Sequence, residues 1–235
     1  MDGLLIVPAA PDHEYLASEL AADLPVVFID RPPVNLAADA VLAADAVLTD
    51  DEGGARSGIE HLIARGHRRI SYLGGNPEVY TCRQRLLGYR QAMARHGLPI
   101  GEAWIAMGKP AADRLRHHPE RLHGDLDQLL RGPARVTALF TGNNRLAVEV
   151  LRELARWEAS AASSFRRPAL VGFDDFELAD LVSPGVTVVA QDPAGLGRTA
   201  ALLLFERVAG LAEPARRMVL PTTLVVRGSG ELPPA

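Results

Sequence analysis

The stretch LVGFDDFELADLVSPGVTVVAQD, Leu170 to Asp192, holds two short apolar runs, the first closed by Asp174 and Asp175 and the second by Gln191 and Asp192. Short apolar runs that end in small or acidic residues read as buried parallel strands. The signature recurs in GLLIVP, PVVFID, RISYLGG and TALFTGN. Helical patterns lie between most of these runs. EGGARSGIEHLIARGH sets Ile59, Leu62 and Ile63 on one face, with acids at its start and Gly66 placed as a C-terminal cap. RQRLLGYRQAMARHG ends the same way at Gly97, and NRLAVEVLRELARW repeats the periodicity. Strand alternating with helix predicts an α/β fold with a doubly wound parallel sheet. Ligands of such sheets sit beyond the carboxyl ends of the strands, where Pro8, Asp30, Gly74, Asn143, Asp174 and Gln191 fall.

Two segments interrupt the alternation. GKPAADRLRHHPERLHGDLDQLLRGPARV is rich in charge and proline, and EASAASSFRRP reads as a surface loop. No internal repeat stands out.

The totals exclude several classes. With 235 residues, 48% of them hydrophobic, the chain can bury one large core or two smaller ones. A net charge of -4 and a pI near 6.0 argue against a surface devoted to nucleic acid, whose recognition is largely electrostatic. The single cysteine, Cys82, cannot form an internal disulfide or a thiolate cluster, which fits a cytoplasmic, reducing setting. No apolar run approaches the roughly 20 residues of a membrane span, and LLIVP so soon after Met1 has neither the basic region nor the cleavage site of a signal peptide.

Most candidate chemistries have a plainer account. His117, His118 and His123 match no familiar metal spacing and read as part of a solvated charged loop, so no metal is expected. GLGRTA, Gly195 to Ala200, imitates a dinucleotide fingerprint, but DPAG separates it from its strand and no acid closes a second strand about 20 residues on. Helix packing by small residues explains it. Neither a G-x-S-x-G elbow nor a phosphate-binding P-loop is present, so no cofactor is expected. Cys82 has only Arg83 and Arg85 nearby to lower its pKa and reads as an incidental thiol.

Asp174 and Asp175 leave a helix N-cap, a catalytic pair or a ligand grip open. Adjacent side chains on an extended segment point in opposite directions, which weakens the catalytic pair. A strand-tip carboxylate can accept two hydroxyl hydrogens while a guanidinium and an amide supply donors. Asp30, Arg85, Asn143, Asp174 and Gln191 make such a set, the inventory of a polyol or nucleoside site.

These segments, in order, resemble the effector-sensing core of the lactose-repressor and galactose-repressor (LacI/GalR) family of bacterial transcription regulators. The matching blocks are DGLLIVP, LPVVFIDRP, GIEHLIARGHRRISYLGG, RQRLLGYRQAMARHGL, TALFTGNNRLAVEVLREL, ALVGFDD, VTVVAQDPAGLGRTAALLL and LPTTLVVRGS, with the block around Gly66, His67 and Arg68 and the last block the most specific. The resemblance implies two α/β subdomains of the type I periplasmic-binding-protein kind, joined by crossing strands, with a small-molecule effector (sugar, polyol or nucleoside) in the cleft. It assigns residues 1–48 plus 193–220 to an N-terminal subdomain and 49–192 plus 221–235 to a C-terminal one. It carries ligand contacts to Asp30, to Thr81 on the loop leading to Arg85, to Arg85 itself, and to Asn143, Asp174 and Gln191, with no catalytic residue.

In that family a helix-turn-helix head and two strand-helix units precede the region matched. The N-terminal subdomain is therefore expected to be truncated here, with an apolar edge beside LLIV. Operator DNA would be met only through a missing N-terminal head, and the full-length form would be a homodimer whose effector shifts the subdomains between states. The family often lays an aromatic over the ligand; in AWIAMGKPAADRLRHHPERLHG, Trp104 or Met107 is the substitute on offer. Two other readings share the scaffold: a solute-binding protein of a transporter, and an enzyme acting through Asp174, Asp175 or Cys82.

Overall fold

The apolar runs pair as strands in a computed structural model that describes residues 2–8, 14–16, 18–19, 22, 24–33, 44–108, 119–133, 135–160 and 165–234. In chain order the strands are β1 (Leu4–Ile6), β2 (Val26–Ile29), β3 (Asp45–Thr49), β4 (Ile70–Gly74), β5 (Ile105–Met107), β6 (Ala138–Thr141), β7 (Ala169–Phe173), β8 (Thr187–Ala190), β9 (Arg217–Leu220) and β10 (Thr223–Val225). The α-helices are α1 (Asp51–Ala64), α2 (Tyr80–Arg95), α3 (Pro119–Arg131), α4 (Asn144–Ser160) and α5 (Pro193–Val208). The strands form two sheets, and the chain divides into two units: Met1–Asp50 with Gln191–Thr222, and Asp51–Ala190 with Thr223–Ala235.

In the first unit the strands lie in the order β1-β2-β3-β9, all parallel. Helix α5 covers the sheet by packing Leu196, Ala200 and Leu203 on Val27 and Val47. Asp192 starts the helix: its Oδ1 accepts the Gly195 N–H at 2.8 Å, and Pro193 follows it in the first turn, where a missing N–H costs nothing. At the other end Arg207 grips both oxygens of the buried Asp45, Nε and Nη2 each at 2.9 Å, and the Arg216 N–H adds a third bond at 2.6 Å. Burial pushes the Asp45 carboxyl up, but these donors prevail and hold it below its ordinary range. Strand β1 is an edge, with Leu5 and Val7 exposed beside it.

The second unit has the order β10-β8-β7-β6-β4-β5, parallel except for β10 against β8. Its sheet is covered on both faces. One core gathers Ile59, Leu62, Tyr72, Tyr89, Met93 and Phe140; the other gathers Leu126, Leu129, Leu139, Val150, Leu154 and Trp157. Continuous apolar runs were needed in β4, β6 and β7 because these central strands are buried along their whole length. Gly66 (φ 95°) and Gly97 (φ 62°) end α1 and α2 as expected. In each case the glycine N–H and the next one turn back onto the last helical turn: Gly66 to Ile63 O and His67 to Leu62 O, Gly97 to Ala94 O and Leu98 to Met93 O.

Gly88 has a different reason. A Cβ there would lie 2.2 Å from the Glu52 carbonyl oxygen and 3.0 Å from the Arg56 nitrogen, so only glycine lets α2 lie so close to α1. His67, fully buried, donates through Nε2 to Leu232 O and meets Thr137 Oγ1 through Nδ1, both at 2.9 Å; burial holds it neutral. It pins the C-terminal segment, as do Ser229 on Leu170 O at 2.5 Å and Glu231 on Thr187 Oγ1 at 2.9 Å and on His61.

Two loop expectations change. Pro119–Arg131 is helix, and Leu126 and Leu129 reach the core from it; their three-residue spacing was hidden by flanking charge and proline. The first three residues of EASAASSFRRP complete α4, and Phe165 packs edge-on against Trp157. Trp104 precedes β5, away from the tip where Met107 pairs with Gly74, and packs into the core; of the two substitutes only Met107 reaches the carboxyl end.

Gly88→Ala is expected to destabilise the second unit by about 1–3 kcal/mol through overpacking. Both tryptophans, Trp104 and Trp157, lie in that unit, so urea unfolding followed by tryptophan fluorescence reads it directly. Asp45, Asp175 and Glu231 all have carboxyls lowered in the fold. Their contribution should be complete above the unfolded carboxylate range of about 4 and lost as pH falls through the lower folded values. Urea midpoints should fall gently once pH drops below about 6.5, where His67 of the unfolded chain takes up its proton first, and steeply below about pH 4.

Candidate functional site

Strand β7 ends at Phe173, and the next residue bends away in a left-handed conformation: Asp174 has φ 69°, and its N–H bonds Val189 O of β8 at 2.9 Å. Aspartate tolerates this region better than most side chains. The first unit repeats the device. Asp30, just past β2, also has φ 69°, and its N–H bonds Val47 O of β3 at 2.9 Å.

The Asp174 carboxylate is held from below by Arg85. That side chain is 5% exposed and rises from α2: Nε donates to Asp51 Oδ1 at 2.7 Å, and Nη1 donates to Gly142 O at 2.7 Å and to Asp174 Oδ2 at 3.1 Å. The guanidinium carbon lies 3.8 Å from the centre of the Phe173 ring, a cation-π contact strengthened by burial. Asp51, in the first turn of α1, is 1% exposed, while the Asp174 side chain is 22% exposed. Arg85 is thus a positioning group with a buried counter-ion, and Asp174 is the member that reaches solvent. Asp51 was visible in the sequence only as an acid at a helix start.

The other expected residues are placed as follows. Thr81 is not on a loop: it lies buried in the first turn of α2. Asn143 caps α4, its Oδ1 accepting the Leu146 N–H at 2.9 Å, and its Nδ2 faces Gly75. In the first unit Asp30 Oδ2 lies 3.6 Å from Arg31 Nε, and Arg31 Nη1 also donates to Pro8 O at 2.7 Å, which ties the β1 and β2 tips. Gln191 Oε1 accepts from Thr49 Oγ1 at 2.6 Å. Thr81, Arg85, Asn143 and Asp174 thus belong to the second unit, and Asp30 and Gln191 to the first.

The two adjacent carboxylates diverge. Asp175 turns to Arg227, which donates to its oxygens at 2.8 and 2.7 Å and lowers its pKa; it also accepts the Phe176 N–H at 2.9 Å. Turns rather than a helix follow it, so it is no helix cap. This geometry does not make an acid-base pair. His117 and His118 lie outside the described residues, and His123 meets Glu153 at 3.1 Å and the edge of Trp157. Among the described residues no group of three metal-ligating side chains gathers. GLGRTA is the start of α5, with Gly195 against the Asp192 cap and Ala200 in the core. Cys82 is buried.

Each of the two α/β units thus presents an acid at a left-handed strand tip. Residues 59–230 match the family model for a periplasmic binding protein-like domain. The chain belongs to that family and is an effector-binding core of the LacI/GalR type. It is 31% identical over 235 residues to the ribose operon repressor of Escherichia coli K12, covering 97% of this chain and 65% of that protein. The crystal structure of a putative ribose operon repressor from Burkholderia thailandensis superposes with a TM-score of 0.76 at 30% identity, covering 96% of this chain and 77% of that one. A complex of the transcriptional regulator CelR with cellobiose gives 0.79 at 29%, covering 97% and 66%. The chain spans 64% of the length of the HTH-type transcriptional repressor PurR of Photobacterium profundum and 65% of that ribose operon repressor, so it covers about two thirds or less of these relatives.

Arg85→Ala breaks a buried ion pair by removing one partner from Asp51, and a loss of about 3–5 kcal/mol is expected. Asp174→Ala removes a partly exposed partner and should cost at most about 1 kcal/mol. Tryptophan-monitored urea unfolding separates the two; equal effects would contradict the assignment of Arg85 to positioning.

Proposed function

We propose that this chain is the effector-sensing core of a LacI-type transcriptional regulator and binds a small polyhydroxylated ligand, a sugar, polyol or nucleoside. The observation that carries the reading is the Asp174 carboxylate, fixed by Arg85 at a strand tip and still 22% exposed. A carboxylate so held accepts hydroxyl hydrogens with little ordering cost, because its conformation is set before the ligand arrives. We count Asn143, Thr81 and Arg85 as its neighbours in recognition, and Asp30 and Gln191 as contacts supplied by the first unit. The similarity to a ribose operon repressor and to a regulator complexed with cellobiose supports a saccharide as the first ligand to try.

A regulator acts on DNA through a separate head, and we assign operator binding to such a head, with the protein cytoplasmic and dimeric. No described helix is long and apolar enough to cross a membrane. The relatives reported are transcriptional regulators rather than enzymes or transporter components, and the divergence of Asp174 from Asp175 gives no support to hydrolysis.

A thermal-shift panel of ribose, cellobiose, other pentoses and hexoses, and purine nucleosides, followed by calorimetry on the best hit, tests the reading. Asp174→Ala should weaken that ligand by about 1–3 kcal/mol, roughly 5- to 150-fold, as loss of a charge-assisted bond does. Unchanged affinity in a folded Asp174→Ala protein would remove the assignment.

A further inference from the structure

The second unit carries another concavity at the opposite end of the same strands. It opens where β4, β6 and β7 begin, with Arg69, Thr137 and Pro168 standing just before Ile70, Ala138 and Ala169. Its volume is about 520 Å³, within the range of small-molecule sites. Among the described residues five arginines line it, Arg69, Arg131, Arg135, Arg166 and Arg167, and no acid does. This runs against the chain's overall charge of -4.

Two of the five are partly neutralised from outside the cavity wall: Arg131 by Asp127 at 3.3 Å and Arg167 by Glu158 at 3.6 Å. Among the described residues no carboxylate pairs with Arg69, Arg135 or Arg166. Arg69 instead donates through Nε to the Arg135 carbonyl at 2.7 Å, which fixes a turn where Arg135 has φ 38°. An arginine in a sparsely populated backbone conformation persists only where its surroundings hold it. Like charges gathered with few counter-ions repel, and an anion in the cavity would relieve that repulsion.

The rest of the wall is apolar: Leu130, Val136, Phe165 and Pro168. Guanidinium forks match phosphate oxygens in pairs, and Phe165 gives the wall an aromatic residue against which a flat body can pack. We propose that this cavity is a second ligand site, separate from the strand-tip site, for a phosphate monoester with a flat apolar body, that is, a nucleotide. It stands on its own residues and does not depend on the effector reading.

Calorimetry in a phosphate-free buffer of about 50 mM ionic strength tests it, because weak screening preserves guanidinium-phosphate attraction. Adenosine 5′-monophosphate, inorganic phosphate and adenosine are the probes. The nucleotide should bind at one site and more tightly than inorganic phosphate, and adenosine should not compete with it. The double variant Arg135→Ala/Arg166→Ala should weaken the nucleotide about tenfold or more, as should Arg166→Glu alone, while Asp174→Ala leaves it unchanged. Both arginines are exposed, so these variants should keep the wild-type urea midpoint. No nucleotide binding, binding untouched by the arginine variants, or binding lost on Asp174→Ala would overturn the proposal. Equal affinity for nucleotide and inorganic phosphate would overturn the part assigned to Phe165.

Discussion

A buried positive charge sets the terms for the second unit. Arg85 is nearly sealed from solvent, so its desolvation must be offset where it stands, and three oxygens and a ring face do so: Asp51, the Gly142 carbonyl, Asp174 and Phe173. These groups come from the start of α1, the turn after β6 and the tip of β7. For Arg85 to reach Asp51, α2 must lie close against α1, and Gly88, one turn further on, permits that approach. The packing of two helices and the aim of a strand-tip carboxylate are thus one constraint. A substitution that loosens the helix pair should also loosen Asp174.

Within each unit the same local solution recurs. A parallel strand ends, its terminal aspartate takes a left-handed turn, and the backbone N–H is satisfied by the neighbouring strand, at Asp30 on Val47 and at Asp174 on Val189. Past the turn, Asp174 meets Arg85 while its neighbour Asp175 meets Arg227. The ends of the second sheet differ in charge as well. Its carboxyl end holds acids on a single buried arginine, and its amino end gathers arginines with few acids.

Much of this was legible in the residues. Apolar runs closed by polar tips located strands at both ends of the alternation, and Gly66 and Gly97 marked helix ends because only a residue without Cβ takes that turn cheaply. Asp30 and Asp174 were legible as strand-tip acids. What could not be read was which partner each polar group would choose. The role of Arg85 as a buried support depends on Asp51, 34 residues away, and no local pattern announces that pairing. The resemblance places Thr81 on a loop, whereas it stands in the first turn of α2, a helix that begins without a side-chain cap. Helix α3 was missed because histidine, proline and charge obscured Leu126 and Leu129. The short strand β3 fell in an alanine-rich stretch whose composition does not distinguish strand from helix.

The central claim is that Asp174 receives the ligand while Arg85 holds it in place. A crystal structure of the chain with the best-binding saccharide or nucleoside tests this most directly. The account predicts a ligand hydroxyl within about 2.5–3.0 Å of an Asp174 oxygen, with the Arg85 to Asp51 pair unmoved. A ligand bound out of reach of Asp174, or an Arg85 that leaves Asp51 to grip the ligand itself, would contradict it.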